Sequence, residues 1–199
     1  CIKKQLYGEA YLVRFADDFL IMFQYERDAQ RVYEAIIRRM ELFGLELSKE
    51  KTRILPFGRN CGTRETFDFL GFTHFNSKTR KGYYSVGHKI SRKKKKQFKS
   101  NLKKWVKENR DKQFDEFMKK LNKKLTGSFN YYSLSGMIRE VRSLWIHSLY
   151  VTFKWMNRRS QRRSFKLERF YEIWHERIIH PYIHVDIWSG DKVIYNKKV

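Results

Sequence analysis

Tyr11-Leu12-Val13-Arg14-Phe15-Ala16-Asp17-Asp18-Phe19-Leu20-Ile21-Met22-Phe23 is the stretch that decides how this chain is read. Two short runs rich in apolar, aromatic and β-branched side chains flank one small residue and two adjacent carboxylates. Runs of this length and composition form strands, and Ala-Asp-Asp between them forms a tight hairpin connection. Neighbouring side chains on a regular strand point to opposite faces, so adjacent acids converge only at the bent tip. The apolar flanks predict a ribbon buried on at least one face, with its acidic tip at a surface or cleft. Like charges held together favour a cation between them. A hard divalent ion such as Mg²⁺ suits the pair, because it takes one or two carboxylates and completes its shell with water and phosphate. The plainer reading, a polar turn, is weighed by what surrounds the pair.

Composition narrows the partners. The chain has 199 residues, 41% hydrophobic and 17% aromatic, so a packed core is expected and general disorder is not. Lys and Arg number 44 against 21 Asp and Glu, a formal charge of +23. A compact protein with that much self-repulsion calls for a polyanion, and nucleic acid is the commonest. No apolar run approaches the length of a spanning helix, so no membrane partner is expected. Cys1 and Cys61 sit in no metal-ligand or redox spacing, which suits a reducing cytosol and a cytoplasmic location. An opening Cys directly before a central element reads as the C-terminal part of a longer protein.

Ala29, Val32, Tyr33, Ile36, Ile37, Met40 and Phe43 recur at helical spacing, and Gly44 stands where a C′ glycine belongs. This predicts an amphipathic helix covering one face of the sheet that holds the hairpin. Residues 45–55 read as an extended segment, a basic turn and another strand; Phe67-Asp68-Phe69-Leu70-Gly71-Phe72 alternates as a further strand. Beyond Gly87 the composition shifts to helical stripes: Phe98 to Val106, Phe114 to Leu125, Met137 to Met156, and a fourth helix over about Phe165 to Ile178. Short connections containing Gly127 and Ser133-Leu134-Ser135-Gly136 are expected to separate them, as in an antiparallel bundle. The fold class is therefore α+β, with one domain over residues 1–86 and a helical one over residues 87–199.

Basic residues between Lys89 and Lys124 carry about half of the excess charge. Arg92, Lys93, Lys94, Lys95 and Lys96 surround a helix start, where the macrodipole opposes positive charge and a nearby phosphate offsets the cost. Lys103 and the cluster Arg158, Arg159, Arg162 and Arg163 extend the predicted nucleic-acid-binding surface. Lys51, after the first helix, is a candidate to protonate or neutralise a leaving pyrophosphate, with Lys49 the less fixed alternative. His175, His180 and His184 lie close in sequence, but without cysteines they read as satisfied or interfacial histidines instead of a zinc site.

Taken in order, these pieces resemble the group II intron reverse transcriptase/maturase family. Phe15-Ala16-Asp17-Asp18 looks like its Tyr-Ala-Asp-Asp palm motif. Gly44 to Ile54 looks like its next conserved block, and Phe67 to Phe72 is similar to its primer-grip segment. Leu121-Asn122, Gly127 and Asn130-Tyr131-Tyr132 resemble its maturase/thumb signature, with a weaker likeness over His180-Pro181 to Ile187. Phe15 replaces the motif's Tyr, and Ser128 stands where the signature usually has Trp. The family's fingers, Pro-Gln-Gly block and third metal-binding Asp have no counterpart in this sequence.

The resemblance implies the end of a polymerase palm followed by a helical thumb/maturase region. It implies RNA-directed DNA synthesis by a longer parent, with two Mg²⁺ ions roughly 3.5–4 Å apart. Asp17 would be the stronger metal ligand, Asp18 a second ligand or electrostatic helper, and Lys51 a further catalytic group. Phe69, Leu70 and Gly71 would position the primer. The expected partners are an RNA template, a DNA primer, deoxynucleoside triphosphates and possibly intron RNA. The isolated chain is expected to bind nucleic acid without polymerising. The alternative is a non-catalytic, maturase-like RNA-binding splicing cofactor; a CRISPR-associated or other retroelement relative would share the same chemistry.

Overall fold

The computed structural model describes residues 6–48, 50–159, 164–183 and 185. Their elements are β1 (Ala10–Phe15), β2 (Asp18–Phe23), α1 (Glu26–Leu42), β3 (Thr66–Phe69), β4 (Phe72–Lys78), β5 (Tyr84–Ile90), α2 (Arg92–Asn109), α3 (Phe114–Tyr132), α4 (Ile138–Met156) and α5 (Leu167–Arg177). The fold is α+β, with a two-stranded antiparallel sheet, β1-β2, and a three-stranded one in the order β3-β4-β5. Two compact units divide the chain, Cys1–Leu70 with His74–Gly87 and Gly71–Thr73 with His88–Val199.

The first unit is built on the hairpin. β1 and β2 pair from Ala10↔Phe23 to Phe15↔Asp18, leaving Ala16 and Asp17 as a two-residue loop. α1 lies against β2 and buries Ala29 and Val32. The carboxylate of Asp28, 1% exposed, accepts the backbone N–H groups of Tyr7 and Gly8 and so fixes the chain where it enters β1. α1 ends at the glycine marked by the sequence. Gly44 takes φ +66°, its N–H reaches Glu41 O, and the Leu45 N–H reaches Met40 O. These are the paired bonds of a Schellman motif.

Three sequence expectations for this region change. The ribbon is not buried on one face: Tyr11, Leu12 and Phe15 are 57%, 60% and 64% exposed. α1 covers β2, whose Phe19, Leu20, Ile21 and Phe23 are half-buried, while β1 stays mostly exposed. Residues 52–55 carry no regular secondary structure and join no strand among the described residues; a side chain ties them, with the Arg53 guanidinium donating to Thr66 O at 2.7 Å. Phe67 to Phe72 is not one strand. The chain turns over at Leu70 (φ +50°) and Gly71 (φ +83°), between β3 and β4. Two consecutive positive φ values are the signature of a type I′ hairpin turn, where glycine is strongly favoured.

The second unit packs α2 to α5 around one core. Leu102 and Val106 of α2, Phe117, Leu121 and Leu125 of α3, Val141 and Leu144 of α4, and Phe170 and Trp174 of α5 are buried in it. These are the stripes that the 3.6-residue period marks. Gly127, expected in a connection, instead lies inside α3, because the stripe runs on from Leu125 to a buried Phe129. A Cβ on Gly127 would meet nothing within 4 Å. Gly127→Ala should therefore raise the unfolding free energy by about 0.5–1 kcal/mol, read as a higher urea midpoint. A lower midpoint would mean that this glycine serves something other than the helix.

The segment after α5 is pinned through residue 179. Asn122 Oδ1 accepts the Ile179 N–H at 2.9 Å, and Trp145 Nε1 donates to Ile179 O at 3.0 Å. Val185 then bridges Leu134 in parallel, exchanging backbone hydrogen bonds with Ser133 and Ser135. Asn122→Ala leaves a half-buried N–H without its acceptor and should cost about 1–2 kcal/mol in denaturant melts. An unchanged melt would show that water replaces the amide there.

Candidate catalytic hairpin and nucleic-acid interface

In the first unit, Asp17 is the second residue of the β1–β2 loop and Asp18 opens β2. Both are exposed, and neither carboxylate has a hydrogen-bond or ion-pair partner among the described residues. The loop is held from below by Arg14, whose Nε donates to Ala16 O at 3.0 Å. Ala16 adopts φ +50°, a conformation that costs a Cβ-bearing residue on the order of 1 kcal/mol. The strain turns two successive acids outward at the apex. Free carboxylate oxygens are the donors that a hard cation takes, so the pair fits Mg²⁺ chemically. Among the described residues no group of three or more His, Cys, Asp and Glu converges on a metal-sized site.

Lys51 sits on the expected turn after α1 and is exposed, but the strand expected to follow it does not form. Its N–H bonds Ser48 O at 3.0 Å, and the Thr52 N–H shares that acceptor at 2.9 Å. Its backbone is fixed while its side chain is open to solvent. Lys49 lies outside the described residues.

In the second unit the structure joins three elements that the sequence left separate. Gly71 O accepts the N–H of Ser91, the N-cap of α2, at 3.0 Å. A Cβ built on Gly71 would stand 3.5 Å from Lys94 Cγ and 3.5 Å from the Tyr132 hydroxyl. Thus one residue of the predicted primer grip, one lysine of the basic run and the tyrosine ending α3 meet at one place. Phe72 extends the cluster, its ring centroid 5.6 Å from that of Tyr131 and 5.5 Å from that of Tyr132. Burial pushes the Tyr132 phenol up, keeping it a protonated donor. Phe69 and Leu70 belong to the other unit and are half-buried.

The basic run is not uniform. Arg92, Lys93, Lys94, Lys96 and Lys103 are exposed, whereas Lys95 is half-buried and ion-paired with Glu140 of α4. Arg158 is exposed beside Trp155, but Arg159 is engaged in the fold, donating to Met156 O and Arg110 O. Arg162 and Arg163 lie outside the described residues. Sequence reasoning missed Lys107 and Arg110, which with Arg158 bring three cations within 5.5–5.8 Å of the Trp155 ring. The signal was their i, i+3 spacing at the end of α2. His175 and His180 pair with each other, Nδ1 and Nε2 3.1 Å apart against the Trp145 ring, while His175 Nε2 is buried without a hydrogen-bond partner among the described residues. Burial, and then the neighbouring His180, push the His175 imidazole below its ordinary range. His184 lies outside the described residues.

Two family models match this chain. The reverse transcriptase (RNA-dependent DNA polymerase) model matches residues 2–74, and the group II intron, maturase-specific domain model matches residues 95–172. The chain belongs to the group II intron reverse transcriptase/maturase family. The acidic hairpin and the Leu70–Gly71 turn fall within the reverse-transcriptase match, and α3, α4 and most of α2 fall within the maturase match. No curated protein sequence matches the chain. The reverse-transcriptase and maturase matches imply nucleic acid as the partner. Among the described residues no helix is long and apolar enough to cross a membrane.

Proposed function

We propose that this chain supplies the catalytic hairpin and thumb of an RNA-directed DNA polymerase of the group II intron type. The observation that carries the reading is the pair of free, outward-turned carboxylates of Asp17 and Asp18 at a strained hairpin apex within the reverse-transcriptase match. They would be the chain's ligands to magnesium, which when bound neutralises charge at the transferring phosphate and activates the primer 3′-hydroxyl. Lys51, exposed on its turn, is proposed to neutralise the departing pyrophosphate. Leu70 and Gly71 are proposed to steady the primer by their backbone at a tight turn. The exposed lysines of α2 would hold the duplex by its phosphates, largely without reading sequence.

A second reading, an RNA-binding splicing cofactor, is favoured by the maturase-specific match over residues 95–172. The two separate by mutation, because only polymerisation needs the hairpin acids. Primer extension and RNA binding are measured side by side for the longer parent protein and its Asp17→Asn variant. Extension lost with binding retained supports the polymerase; extension retained removes Asp17 from the chemistry.

A further inference from the structure

α2 and α3 enclose a groove of about 210 Å³ within the second unit. One wall is Lys94, Gln97 and Asn101, along one face of α2. The other is Lys124, Ser128 and Tyr132, at i, i+4 and i+8 of α3. The short link between the helices runs them antiparallel. Lys94 therefore stands beside Tyr132 at one end, as their common approach to Gly71 shows, and Lys124 lies beside Asn101 at the other. The groove thus carries an ammonium group at each end and neutral amides and a hydroxyl between them, over apolar Phe98, Leu102 and Leu125; the Ser128 hydroxyl donates to Lys124 O at 3.4 Å and so is left to accept.

The amides of Gln97 and Asn101 and both ammonium groups have no hydrogen-bond or ion-pair partner among the described residues. Lys95, one position along, is by contrast held by Glu140. A groove that only tracked phosphates would need cations throughout. Amide and hydroxyl side chains both donate and accept. The ribose 2′-hydroxyl, also donor and acceptor, is the group a protein uses to tell RNA from DNA.

We infer that the α2–α3 groove is an RNA-selective subsite, in which Lys94 and Lys124 hold phosphates and Gln97, Asn101 and Ser128 bond the 2′-hydroxyls between them. This rests on the nucleic-acid-binding reading above and adds to it a choice between ribose and deoxyribose. The test uses the 199-residue chain, an RNA duplex and a DNA duplex of the same sequence, and fluorescence anisotropy across a salt series. The double variant Gln97→Ala, Asn101→Ala should bind RNA roughly tenfold more weakly and DNA within about twofold, at an unchanged salt slope. The double variant Lys94→Ala, Lys124→Ala should weaken both duplexes alike and reduce the slope by about 1.8. All four side chains line an open groove, and an unchanged helical circular dichroism spectrum verifies the fold. Equal loss on RNA and DNA in the amide variant, or no loss on RNA, overturns the inference. Failure of the unaltered chain to bind either duplex overturns the nucleic-acid reading itself and this inference with it.

Discussion

Asp17→Asn is expected to lower primer extension by the longer parent protein at least about a thousandfold, the scale on which several kcal/mol of charge stabilisation at a transferring phosphate is lost. Asparagine keeps the shape of the loop and one oxygen donor but removes the charge. The change therefore acts on the chemistry and leaves the hairpin standing. The loop geometry rests on Arg14 donating to Ala16 O and on the Phe15↔Asp18 pair, neither of which uses the Asp17 carboxylate. RNA affinity should stay within about twofold, since the phosphate contacts proposed to supply it come from cations on helices of the other unit. Asp18→Asn should be the milder of the two if Asp18 is the electrostatic helper and Asp17 the principal ligand. Parallel loss of extension and of RNA binding on Asp17→Asn would assign Asp17 a structural role instead.

The features legible in the sequence were those carried by local chemistry. Gly44 ended α1 because a left-handed C′ residue needs only the preceding turn to complete its hydrogen bonds. Leu102, Phe117, Val141 and their neighbours announced the core of the second unit through period alone. The hairpin with acids at its tip was legible because a tight turn between two strand-forming runs is a local feature. In each case the relevant partners lie within a few residues.

What was not legible depended on distant partners or on a backbone choice that composition does not encode. The apolar runs of β1 and β2 suggested a buried face, yet burial is a property of what lies over a strand, and α1 packs on β2 while β1 stays mostly exposed. Phe67 to Phe72 alternates as a strand should. The positive φ at Leu70 breaks the run at a residue that rarely adopts it. Asn122 stood out as part of a motif, but its partner, Ile179, is 57 positions away. The run Arg92 to Lys96 read as five equivalent cations; only the fold shows that one of them faces Glu140.

That distinction sets the last expectation, which concerns the cations of α2. Replacing Arg92, Lys93 and Lys96 together by Gln removes three exposed charges that make no ion pair among the described residues. If each neutralises one phosphate of a duplex, the slope of log affinity against log salt falls by about 2.7, and at about 0.1 M salt the affinity drops by two to three orders of magnitude. Lys95→Gln should behave in the opposite way. Its ammonium already faces a half-buried carboxylate, so the salt slope should barely move, while the unpaired Glu140 should lower the melting point of the helical unit. Both variants are read in one salt titration and one thermal melt. If Lys95→Gln flattened the salt dependence as steeply per charge as the triple change, the lysine would have to leave Glu140 for phosphate. The ion pair would then be a resting contact that nucleic acid displaces.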